Sequence, residues 1–120
     1  MSTTICKSFT FEASHFLPRV PEGHKCHRMH GHSYELQLEL TGAVDPVAGW
    51  VQDFGEISRI VKPIINNELD HRFLNEIHGL ENPTAELIAK WIWDRLKPQL
   101  SALSKVRLSE TRTSWCEYTG

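Results

Sequence analysis

From Tyr34 to Leu40, apolar and polar side chains alternate without a break. Tyr34, Leu36, Leu38 and Leu40 share one parity, and Glu35, Gln37 and Glu39 share the other. A repeat of two is the pattern of an extended strand with one buried face, and a helix would scatter these residues around its axis. His30 and His32 fall on the apolar parity, so both imidazoles are expected to point into the interior. The same repeat runs from Ile5 through Phe9 and Phe11 to Ala13, and His15 continues its apolar side.

Two helices are expected between these strands and a second strand pair. Pro18, Pro21 and Gly23 make residues 17–24 a loop. Asp53 followed by Glu56 resembles a capping box, and Ile57, Ile60, Val61 and Ile64 recur at helical spacing, so a first helix should start near Phe54 and be kinked or shortened at Pro63. Residues 70–81 read as a loop. Asn82-Pro83 then reads as an N-cap with proline at the first helical position, opening a helix whose Leu87, Ile88, Trp91, Ile92 and Leu96 form an apolar stripe until Pro98. Trp93 lies on another face, where it could meet a second subunit. Val106 and Leu108 alternate with Lys105, Arg107 and Ser109 in a third strand, and residues 115–118 return as a fourth. The order ββααββ predicts an α+β fold, a four-stranded antiparallel sheet with both helices on one face. Its edges would invite pairing with further copies, so a homo-oligomeric barrel is expected.

With 120 residues, 40% hydrophobic and 23% charged, the chain has the makeup of one folded domain spanning 1–120. A formal net charge of −2 argues against nucleic acid or an anionic membrane as partner. No targeting segment or membrane span is read before Ile5 or beyond it. Cys6, Cys26 and Cys116 are an odd number without paired spacing, which suits free thiols in the cytoplasm.

The chemistry is concentrated in Cys26-His27-Arg28-Met29-His30-Gly31-His32. Three imidazoles with one vacant position describe catalytic zinc, and His15 at matching parity supplies the third. Gly31 would let the backbone pass close to the metal. The alternative is a core histidine beside a turn. Cys26 could be a fourth ligand, a nucleophile or a base; Cys6 and Cys116 read as small buried thiols. Asp70-His71 could be a carboxylate fixing an imidazole's tautomer, or an exposed polar loop. Glu110 shares the parity of Val106 and Leu108, so an inward carboxylate needs a partner, unless the strand has already ended. Arg19, His24, Lys25, His27 and Arg28 form a basic loop suited to phosphate, or an ordinary solvated surface.

Taken together, His15, Cys26-x-x-x-His30-Gly31-His32, Asp70-His71, Asn82-Pro83-Thr84-x-Glu86 and Glu110-Thr111 resemble the 6-pyruvoyl-tetrahydropterin synthase family over nearly the whole chain. The short cysteine-to-HGH spacing is similar to the bacterial branch serving queuosine biosynthesis. The resemblance implies the tunnelling fold, in which trimers join their sheets into a barrel and two rings stack into a homohexamer with active sites at subunit interfaces. It implies zinc on His15, His30 and His32, Cys26 as general base, Asp70-His71 as proton relay, and Glu110 as pterin anchor. Thr84 and Thr111 would contact the pterin, and Lys25 and Arg28 the phosphates. The implied substrate is 7,8-dihydroneopterin triphosphate, and the products 6-carboxytetrahydropterin, acetaldehyde and triphosphate. His27, next to Cys26, departs from the family pattern.

Overall fold

The computed structural model describes residues 2–120. Strands β1 (Thr3–His15) and β2 (His30–Gly42) pair antiparallel along their full lengths, from Thr3 opposite Gly42 to His15 opposite His30. The alternating pattern dictates this register, because a slip by one residue would turn Leu36, Leu38 and Leu40 out to water. β4 (Leu103–Thr111) pairs with β2, and β5 (Ser114–Tyr118) pairs with β4, both antiparallel. Strand β4 reaches Thr111, so Glu110 is part of it.

The four-stranded, all-antiparallel expectation needs correction. A fifth strand, β3 (Arg72–Phe73), lies parallel to the end of β1, giving a mixed sheet ordered β3-β1-β2-β4-β5 and an element order in which β3 separates the helices. Two residues are too few to produce a periodic signal, so the segment read as loop.

Both helices cover one face of the sheet. Helix α1 (Phe54–Ile64) buries Ile57 and Val61, and α2 (Ala85–Leu96) buries Ile88, Ala89, Ile92 and Leu96 in a core shared with Phe9, Phe11, Tyr34, Leu36, Leu38, Leu40, Val106 and Leu108. Leu87, expected in the stripe, is 42% exposed. Asp53 caps α1 by accepting from Gly55 N–H, but Glu56 pairs with Arg59 rather than closing a capping box. Pro63 has no N–H to give the preceding turn; α1 stops one residue later and continues as a π-turn over Ile65–Leu69. The cap of α2 is Thr84, two residues beyond the expected Asn82: its hydroxyl accepts from Leu87 N–H at 3.2 Å. Trp93 packs within the chain, edge-on to Tyr118 with ring centroids 5.6 Å apart. No helix among the described residues is long and apolar enough to cross a membrane.

The other face of the sheet is polar. Lys105 bridges Glu39 and Glu117 there, and Ser33 donates to Glu12.

Candidate active site

Beyond the last apolar rungs of β1 and β2, the inward positions become histidine. His15 faces His30 across the ladder and Ala13 faces His32, so all three rings project from the helix-covered face at the end of the sheet. One ring nitrogen from each of His15, His30 and His32 falls within 4.8 Å of the other two. Cys26 is not part of that cluster.

The tautomers follow from the partners. His15 Nδ1 lies 2.8 Å from the carbonyl of Pro83, and His30 Nδ1 lies 2.7 Å from the carbonyl of Arg28. A carbonyl only accepts, so each Nδ1 carries a proton, and in the neutral ring Nε2 keeps its lone pair. Tyr34, fully buried and stacked on Phe11, brings its hydroxyl to 3.3 Å from the same Nδ1 of His15. Burial pushes the phenol well above its ordinary range, with the Glu110 charge adding to the effect, so Tyr34 stays neutral.

Burial also lowers the pKa of His15, outweighing the Pro83 carbonyl and Glu110, which pull it up. His32 is lowered in the same way, against Glu110. The Nε2 atoms of His15 and His32 are buried without a hydrogen-bond partner. Glu110 Oε2 is 2.9 Å from His32 Nε2 and 3.6 Å from His15 Nε2, but neither contact has hydrogen-bond geometry. Two orphaned ring nitrogens converging with a third imidazole are a donor set that a divalent cation such as zinc satisfies. Glu110 is thereby the inward carboxylate that the strand parity demanded.

A cavity of about 460 Å³ opens on this cluster, lined by Lys25, Cys26, His30, His32, Glu110, Thr111 and Ser114. A smaller one, about 190 Å³, continues past Glu110 and Ser114 to Glu86 and Cys116. Burial pushes the Cys116 thiol up, and the Glu86 charge adds to the shift. From sequence, Glu86 enters only as part of Asn82-Pro83-Thr84-x-Glu86 and Cys116 as a small buried thiol. Cys116 comes beside Glu110 through the pairing of β4 with β5, and Glu86 through the packing of α2 on those strands.

Asp70 and His71 are elsewhere. His71 has φ of 59°, the left-handed turn that lets neighbouring side chains meet, and its Nδ1 lies 2.8 Å from Asp70 Oδ2. Glu12 clamps the pair: its N–H donates to Asp70 Oδ1 at 2.8 Å, and its carbonyl accepts from His71 N–H at 2.6 Å. These bonds hold the Asp70 carboxyl below the ordinary carboxylate range, the Glu12 N–H first and His71 second. His71 lines a separate cavity of about 590 Å³ with Glu12, Ser14, Gly31 and Ser33 from the polar parity of the sheet. Gly31 thus faces away from the imidazoles. A Cβ there would meet only the Ala13 carbonyl, at an ordinary 3.6 Å, so the expected close backbone approach to a metal is not what places glycine here.

Of the remaining candidates, Thr84 spends its acceptor on the helix cap, and Arg28 is exposed and holds His30 through its carbonyl. His27 is half-buried, its ring 6.2 Å from that of Phe16.

Known proteins are similar to this chain over nearly its whole length. A 6-carboxy-5,6,7,8-tetrahydropterin synthase of Synechocystis is 41% identical over 95% of this chain and 91% of its own length. One of Haemophilus influenzae is 36% identical over 95% of this chain and 96% of its own. The 6-pyruvoyl tetrahydropterin synthase structure of Caenorhabditis elegans superposes with a TM-score of 0.91 at 26% identity, covering 100% of this chain and 96% of that one. The family model of 6-pyruvoyl tetrahydropterin synthase matches residues 4–120, which takes in both strands of the histidine cluster and the Glu110 strand: the chain belongs to that family.

Proposed function

We propose that the protein is a zinc-dependent carbon-carbon lyase of queuosine (7-deazaguanine) biosynthesis, converting 7,8-dihydroneopterin triphosphate to 6-carboxy-5,6,7,8-tetrahydropterin, acetaldehyde and triphosphate. The observation that carries the reading is the cluster of three imidazoles without Cys26, opening on a cavity that Cys26 and Glu110 line. A structural zinc site would close its tetrahedron with the thiol; here the thiol is left for chemistry. The choice of the carboxy product over the pyruvoyl product leans on the names of the Synechocystis and Haemophilus relatives.

His15, His30 and His32 would hold the zinc, which when bound supplies Lewis-acid polarisation of a side-chain oxygen. Cys26 takes a proton from the side chain of the substrate. Glu110 accepts from the 2-amino and N3–H edge of the pterin, a pair of charge-assisted hydrogen bonds that sets orientation. Thr111, on the same rim, and Thr84 add contacts to the ring, and Lys25 and Arg28 meet the phosphates. His71 lines a different cavity from Cys26 in one chain, so a proton relay between them would use His71 of one copy and Cys26 of another. The edge of β5 and the part of β1 that the short β3 leaves uncovered are the surfaces through which a barrel of three copies, and a hexamer of two barrels, would form. The free thiols suit a cytoplasmic location.

The test is incubation of zinc-loaded protein with 7,8-dihydroneopterin triphosphate, followed by mass analysis of the pterin and an acetaldehyde assay. A 6-carboxy product with acetaldehyde is expected; a 6-pyruvoyl product without acetaldehyde would overturn the assignment.

A further inference from the structure

Backbone pairing between β3 and β1 ends after Ser14 and Phe73, where the chain turns into a single 3₁₀ turn over Leu74–Glu76. The side chain of Asn75 then takes over the ladder. Its Oδ1 accepts from Phe16 N–H at 3.0 Å, and its Nδ2 donates to the Phe16 carbonyl at 2.9 Å. One amide satisfies both backbone groups of one residue, as a further rung of sheet would.

Phe16 occupies a position that matters twice. It directly follows His15, so its backbone sets where the first imidazole ends the strand. The next residue, Leu17, donates its N–H to the Cys26 carbonyl at 2.8 Å, while Cys26 N–H is given to His24 Nδ1 at 3.0 Å. The Phe16 ring lies beside Phe73 and His27, with centroids 6.0 and 6.2 Å away. The residue that carries the chain out of the histidine strand is therefore also the start of the contact that seats the Cys26 turn.

We propose that Asn75 is a positioning residue, holding His15 and Cys26 in fixed relation through the backbone of Phe16. The proposal rests on the reading of His15 as a metal ligand and Cys26 as the base. Asn75 touches neither, and acts only through the two bonds to Phe16. Its substitution should loosen Leu17 as well as Phe16, which a merely local role would not do.

The test compares Asn75→Ala, Asn75→Asp and a control, Ser104→Ala. The control removes a part-buried hydroxyl that donates to the Glu39 carbonyl at 3.1 Å, away from the histidines. Amide hydrogen exchange is followed in the metal-free protein, and zinc affinity by competition with a chromophoric chelator. In Asn75→Ala, exchange at both Phe16 and Leu17 should quicken by about tenfold or more, and zinc affinity should fall roughly 10- to 100-fold, the usual effect of losing a group that orients a ligand. Asn75→Asp keeps the acceptor for Phe16 N–H and loses the donor, so Phe16 should stay slow while zinc affinity falls less. That variant decides the matter if Asn75→Ala does not fold. Ser104→Ala should change neither reading. Leu17 protected and zinc bound normally in Asn75→Ala would overturn the proposal, as would equal losses in Ser104→Ala. A wild-type chain that takes up no zinc would defeat the metal reading instead, and Leu17 exchange would then judge Asn75 alone.

Discussion

His15 Nδ1 donates to the carbonyl of Pro83 at 2.8 Å, tying the third imidazole of the site to the residue before the cap of α2. The accepting carbonyl lies just outside the helix, which is capped by the Thr84 hydroxyl. The bond selects the ring nitrogen left free, so the ligand atom is set from outside the ligand cluster.

Replacing His15, His30 or His32 singly with alanine should lower zinc affinity by more than the roughly 10- to 100-fold typical of an outer partner. His27→Ala and Cys26→Ala should retain zinc, because neither ring nor thiol joins the cluster. Metal content after dialysis checks all five. Loss of zinc in His27→Ala would show that the ligand set has been misassigned.

Glu110→Gln keeps the size of the side chain and removes its charge, exchanging two acceptor oxygens for one acceptor and one donor. Hydrogen bonds to a charged group are worth about 1.5–3 kcal/mol, so pterin binding should weaken by roughly one to two orders of magnitude. Zinc should stay bound. Titration with a pterin under anaerobic conditions measures this; unchanged affinity would remove Glu110 as the anchor.

How much of this was legible in the sequence depended on period. A repeat of two put His15, His30, His32 and Glu110 on inward faces, and the structure puts them there. The helical stripe of α1 was equally readable. What failed was anything set by one or two residues or by a partner far along the chain. β3 is too short to repeat, the cap of α2 falls on Thr84 because its hydroxyl, two residues past Asn82, is the one that accepts from Leu87 N–H, and Gly31 lies on the parity opposite to the imidazoles. Asp70 and His71 were recognisable as a pair, but the left-handed turn that lets them meet is only weakly signalled by a histidine, one of several residue types that tolerate it. Asn75 carries no signal of its own, because in sequence a side chain that continues a ladder looks like any loop asparagine.

Leu87 and Ile88 are neighbours in the same apolar stripe of the sequence, yet Leu87 is 42% exposed and Ile88 fully buried. Ile88→Ala should therefore destabilise the fold by about 2–5 kcal/mol, and Leu87→Ala by no more than about 0.5 kcal/mol. Urea denaturation of the metal-free chain separates them. A loss for Leu87→Ala as large as that for Ile88→Ala would contradict the burial difference.

Asp70 is held below the ordinary carboxylate range by the Glu12 N–H and by His71. Its folded pKa is depressed, so the charged form contributes stability that is fully present above the unfolded value, about 3.9, and is lost as pH falls through the lower folded value. Asp70→Asn should therefore be less stable than wild type at pH 7 and pH 5, with the gap closing below about pH 4. Denaturation at pH 7, 5 and 3 tests the sign. A gap that widens on acidification would contradict the clamp.

The three thiols should divide by environment. Cys26 lines the cavity of about 460 Å³ with His30 and His32, Cys6 is exposed, and Cys116 is half-buried with its pKa pushed up by burial and then by Glu86. Alkylation proceeds through the thiolate, so Cys116 should react most slowly in single-cysteine proteins at pH 8, and its rate should keep rising at pH values where an ordinary thiol has levelled off. Cys26 should label readily even with zinc bound, because the metal leaves its sulfur free. Cys26→Ala should in turn cut turnover by about 10²- to 10⁴-fold, the usual loss on removing a general acid or base, with zinc and pterin binding retained. Protection of Cys26 by zinc would mean that the sulfur is a ligand, and the site would then be a closed structural tetrahedron.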